Sequence, residues 1–150
     1  MFTLSRRNAV RWVTLVTAAQ LTTLLPSLAA ASAPLGIKGY DPVAYFTVGK
    51  PTPGSPQYEY EYEHRLYRFA SAAILDLFKA DPVHYAPQYS GQCALDLADG
   101  KVSPIVPVAW LIRDGKLYLF GVTQGPALFQ ENFAQNVDKA NQNRSLIPTP

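Results

Sequence analysis

The chain has 150 residues, with 13 basic and 11 acidic side chains, 48% hydrophobic residues and a single cysteine. That length suits one domain around one core. One cysteine excludes an internal disulfide, a single methionine excludes a methionine-rich copper site, and near-neutral charge gives no electrostatic case for nucleic acid.

The first 31 residues read as a signal peptide. Arg6, Arg7 and Arg11 make a positive start without any acid, Trp12 to Leu25 is apolar, and small residues run from Ala29 to Ala33. Cleavage is expected near Ala31, which keeps Pro34 away from the scissile bond. The apolar stretch is too short for a membrane anchor and is diluted by Thr14, Thr17, Gln20, Thr22 and Thr23. Ser5-Arg6-Arg7-Asn8 is similar to a twin-arginine export motif. The expected address is therefore periplasmic or secreted, with no stable membrane association after cleavage. Removal of this segment leaves ten basic against eleven acidic residues, a net charge of −1. The basic pI therefore belongs mostly to the signal.

Residues 32–38 read as a linker, 39–144 as the domain and 145–150 as a flexible tail. Gly39-Tyr40-Asp41-Pro42 is a turn, with Asp41 able to cap it through its own side chain. Val43 to Phe46 is expected to be a short apolar strand, followed by a Pro/Gly-rich loop from Gly49 to Pro56. Tyr58, Tyr60 and Tyr62 alternate with Glu59, Glu61 and Glu63, so a strand would carry tyrosines on one face and glutamates on the other. Leu66 to Ala70 returns as its partner, with the turn at Glu63-His64-Arg65 and His64 exposed there. Ser71 suits the N-cap of a helix over 72–80, which Asp81-Pro82 ends. His84 to Tyr89 is a turn or short helical piece. Gln92 to Ala98 reads as a short helix with Cys93 in its first turn and Gly100 at its end. Val106 to Arg113 and Lys116 to Gly121 form a hairpin about Asp114-Gly115. One last helix is expected over 126–141, burying Phe129, Phe133, Val137 and Ala140. The predicted class is α+β: small antiparallel hairpins packed with helices.

Gly39-Tyr40-Asp41-Pro42-Val43-Ala44-Tyr45-Phe46, Tyr67-Arg68-Phe69-Ala70-Ser71, Ala80-Asp81-Pro82 and Tyr85-Ala86-Pro87-Gln88-Tyr89 together resemble the YHS domain family. Ser90-Gly91-Gln92-Cys93-Ala94 is similar to the exported branch of that family, some of whose members carry selenocysteine at the matching position. The resemblance spans about Gly39 to Asn141. It implies a treble-clef-like core extended by a C-terminal hairpin and helix. It also implies relatives that hold metal through cysteines at the positions of Ala44 and Ala70, where this chain has no ligand atom.

Cys93 is the residue on which a chemical reading turns. As a thiolate near a helix N-terminus it would bind a soft metal or attack peroxide or a disulfide; as a packed thiol it would be a small hydrophobe. His84, nine residues upstream, and Asp96, one helical turn downstream, are the side chains expected to join it. The sequence thus suggests a metal-binding module for copper or zinc at Cys93, His84 and Asp96. The alternatives are a thiol redox protein without a resolving cysteine, and a non-catalytic interaction domain with a lost metal site. No phosphate loop, Cys-x-x-Cys, His-Glu-x-x-His or serine nucleophile elbow is present.

Overall fold

A computed structural model describes residues 33–148; the expected signal peptide and cleavage point lie outside the described residues. The order of regular elements is α1 (Ala44–Thr47), β1 (Ser55–Tyr62), β2 (Arg65–Phe69), α2 (Ala72–Ala80), α3 (Pro82–Tyr85), α4 (Ala94–Ala98), β3 (Trp110–Arg113), β4 (Lys116–Leu119), α5 (Gly125–Glu131) and α6 (Phe133–Gln142). The two sheets are two-stranded antiparallel hairpins, β1–β2 and β3–β4. The class is α+β.

The segment after Asp41 is the first departure from the sequence reading. Val43 to Phe46 is helical rather than extended. The Asp41 carboxylate accepts hydrogen bonds from the Val43 N–H at 2.9 Å and the Ala44 N–H at 3.4 Å, which caps the start of α1. Asp followed by Pro is a helix-start pattern, and these four apolar residues have no strand partner. The other carboxylate oxygen accepts the Ala70 N–H at 2.8 Å, beyond the end of β2. Asp41 is fully buried, so one side chain ties the entry of the fold to its first hairpin.

The expected linker also belongs to the fold. Leu35 bridges to Leu66, and a 3-10 turn over Gly36–Gly39 buries Ile37. Gly36 lies so close to Tyr67 that a Cβ there would stand 2.6 Å from the ring. In the first hairpin the tyrosine face of β1 packs on α2: Tyr60 and Tyr62 meet Phe78 edge-on, at 6.2 and 5.8 Å between ring centres. On the opposite face Glu59 pairs with Arg68 at 2.8 Å. Glu63 and His64 form the turn with positive φ at both residues, the geometry of a two-residue hairpin. The Ser71 hydroxyl accepts the Ile74 N–H, so α2 runs over Ala72–Ala80 as its cap predicts.

The second hairpin turns at Asp114-Gly115, both left-handed, and pairs Arg113 with Lys116. Its strands are shorter than expected, because Val106 to Ala109 forms a turn before β3. The last helix is two helices. Asn132 leaves helical geometry (φ −132, ψ 50), and the Asn136 side chain donates to the Phe129 carbonyl freed by the break. Phe129 and Phe133 still both face Tyr118 across the break, each at 5.5 Å. A final 3-10 turn over Arg144–Leu146 follows, and Ile147 packs on the core, where a flexible tail was expected.

Removing the Asp41 carboxylate strands three N–H groups. Asp41→Ala is therefore expected to cost about 2–4 kcal/mol, well above the ~0.5 kcal/mol of an ordinary surface change. Urea unfolding of Asp41→Ala and of the surface variant Asp76→Ala provides the comparison, since Asp76 is exposed on α2.

Candidate functional site

Cys93 stands just before α4, as its N-cap, with only 2% of its surface exposed. Two backbone contacts place it there. Its N–H donates to the Ser103 carbonyl at 3.2 Å, and it bridges in parallel to Leu119 at the end of β4. The thiol is thus held between α4, the 101–105 segment and the second hairpin.

The local electrostatics oppose the thiolate. Burial pushes the Cys93 pKa above that of a free thiol. The N–H groups of Asp96 and Gly121 pull it down, while the Asp96 carboxylate beside it raises it further. The outcome is a protonated thiol at neutral pH. A helix N-terminus was expected to favour ionisation, but α4 has only five residues. Burial outweighs so short a dipole.

Of the three residues expected to form a metal site, two are neighbours. Asp96 adjoins Cys93, and its carboxylate is already engaged by the Ser103 hydroxyl, which donates to Oδ2. His84 lies elsewhere: it is exposed on α3, with its ring 4.8 Å from Phe46 and 4.6 Å from Tyr85. The Asp81 carboxylate caps α3 by accepting the His84 N–H, which commits that turn to a surface position. Among the described residues no group of three His, Cys, Asp or Glu side chains gathers to hold a metal ion. A tetrahedral copper or zinc site therefore does not fit the residues present: the sulfur has one carboxylate beside it, and that carboxylate is occupied.

Ser103 and Gly121 complete the surroundings of the thiol, and the sequence offered no motif for either. Gly121 permits close approach, since a Cβ there would stand 3.0 Å from the Pro104 carbonyl and 3.8 Å from the Cys93 sulfur. At the positions of Ala44 and Ala70 the backbone N–H groups both bind Asp41. The Asp41 carboxyl itself is raised above the usual aspartate value by burial, with the three N–H groups pulling against that rise.

No protein-family model matches the chain. No curated protein and no solved structure matches it either.

A thiol kept protonated in the fold but free to ionise once unfolded stabilises fully below its free pKa, and that contribution falls as pH rises. Between pH about 8.5 and 10 the wild-type chain is therefore expected to lose stability with pH faster than Cys93→Ala. Burial has pushed Tyr89 up to about 12, and the slope it adds near the top of the window is common to both chains, so the difference between them reports Cys93. Urea midpoints across the window test this; parallel pH slopes for the two chains would contradict it.

Proposed function

We propose that this chain is an exported, non-catalytic interaction module with a YHS-like fold whose metal site has been lost. The observation that carries the reading is the use made of Ala44 and Ala70. In the metal-holding relatives implied by the resemblance, these positions supply sulfur. Here they supply only backbone N–H groups, and both groups bind the buried Asp41 carboxylate. A fixed carboxylate between α1 and the end of β2 does structurally what a bound cation would otherwise do: it ties two distant chain segments at one point. The polar contacts are internal and complete, with no buried side-chain nitrogen or oxygen lacking a partner among the described residues.

The state of Cys93 supports the same reading. A redox thiol needs ionisation and access, and a metal thiolate needs ionisation and further ligands. A 2% exposed, protonated sulfur offers neither. The export half of the proposal rests on the arginines and small residues of the first 31 positions. Among the described residues no helix is long and apolar enough to cross a membrane.

Titration of the purified chain with Cu(I) and with Zn(II) tests the functional half. Wild type and Cys93→Ser are expected to bind neither ion stoichiometrically, and to consume hydrogen peroxide at the same background rate. One equivalent of metal held by wild type and lost in Cys93→Ser would overturn the reading in favour of a copper or zinc module. A Cys93-dependent peroxide rate would overturn it in favour of a redox protein. For export, N-terminal sequencing of protein recovered from outside the cytoplasm is expected to begin at Ser32.

A further inference from the structure

A cleft of about 310 Å³ opens between the Gly36–Gly39 turn and the segment from Val102 to Ile105. It lies beside the Cys93 site without including the sulfur, and Gly91 and Gln92 contribute to its lining. Two properties mark it. The first is charge. Lys38 and Arg65 both line it, no acidic side chain does, and neither cation has an ion-pair partner among the described residues. In a domain of net charge near zero, this is a local excess of two positive charges. The second is the wall. Leu35 and Val102, both exposed, give the cleft an apolar side next to its cations, over the buried Ile37 and Ile105.

Its position in the fold holds the cleft open. Ile37 and Lys38 are both left-handed, at φ 46 and 51, and Tyr89, Ser90 and Gly91 are left-handed in the turn packed against them. A β-branched residue at positive φ is rare and strained, and strain of this kind clusters at ligand clamps. Here it has a geometric effect. The left-handed pair sends Ile37 into the core, 3% exposed, and leaves Lys38 outward at the cleft. Arg65 is fixed from the other side, as the first residue of β2 paired with Tyr62. Both cations therefore stand on backbone that the fold holds in place, which lowers the ordering cost of pairing them with an anion.

We propose that this cleft binds a small organic carboxylate, with the carboxylate between Lys38 and Arg65 and the apolar body against Leu35 and Val102. The volume suits a ligand of the size of benzoate or hexanoate, at the low end of ordinary ligand pockets. A fully hydrated inorganic anion would leave the apolar wall unused. A neutral molecule would leave the two cations unpaired. The proposal does not depend on the state of Cys93.

Two-dimensional NMR titration of the purified chain with sodium benzoate, benzamide and inorganic phosphate tests it. Benzoate is expected to give saturable shifts at the amides of Lys38, Gly91, Gln92, Ser103 and Ile105. Benzamide and phosphate should each bind at least about fivefold more weakly, since each lacks one half of the recognition. The double variant Lys38→Gln, Arg65→Gln should weaken benzoate by about tenfold or more while keeping a dispersed, folded spectrum. Cys93→Ser should bind benzoate as wild type does, which separates this site from the thiol. Benzamide binding as tightly as benzoate, or an unchanged benzoate affinity in a folded double variant, would overturn the proposal. So would the absence of saturable shifts up to ~10 mM benzoate, an affinity too weak for a specific pocket. The comparison of benzoate with benzamide needs no variant, so it decides even if the double variant misfolds.

Discussion

A single buried carboxylate organises the first half of this fold. Asp41 accepts N–H groups from Val43 and Ala44 at the start of α1 and from Ala70 past the end of β2. Those partners are local on one side and 29 residues away on the other. Each bond is charge-assisted when the carboxyl is ionised, and each would otherwise be an unpaired donor in a low-dielectric interior. The consequence is positional. α1 cannot move without β2, and Tyr45 on α1 in turn reaches the Pro107 carbonyl ahead of the second hairpin. From one turn, the tie runs to both hairpins.

Aromatic packing fills what the polar tie positions. Phe78 from α2 sits among Tyr60, Tyr62, Tyr67 and Phe69, so rings hold α2 to the first hairpin. Phe129 and Phe133 take the same part opposite Tyr118, with the Arg113 guanidinium 4.0 Å above the Phe133 ring. A two-stranded hairpin is marginal alone. Each hairpin here is stable because a helix presents a phenylalanine to it. Phe129 and Phe133, four residues apart, meet the same tyrosine across the break at Asn132.

The same burial that secures the core decides the chemistry of Cys93. The backbone bonds to Ser103 and the bridge to Leu119 draw the residue between two structural units. Desolvation there works against the thiolate more strongly than a five-residue helix works for it. Asp96 comes close enough to act on the sulfur but spends its carboxylate on Ser103, and His84 stacks on Phe46 at the surface. The Lys38 and Arg65 cleft follows a different logic. Its two cations have no ion-pair partner among the described residues; left-handed backbone places Lys38 there and pairing in β2 places Arg65.

Local patterns in the chain carried a good part of this structure. The Tyr-Glu alternation, the Ser71 cap and Asp114-Gly115 give β1, the start of α2 and the second turn, because each depends on interactions within a few residues. Asp41-Pro42 carried a helix-start signal too, overridden by the strand-like look of Val43 to Phe46. The adjacency of Cys93 and Asp96 was legible for the same reason, being one helical turn. What only the tertiary structure decided were the relations across long stretches of chain: Ala70 bonded to Asp41, Ile37 buried in what read as a linker, Ser103 taking the Asp96 carboxylate, and the exposed His84 ring set against Phe46. Those depend on which surfaces meet when the core closes. The protonation of a lone thiol depends on how much water that closure removes, a quantity no local pattern contains.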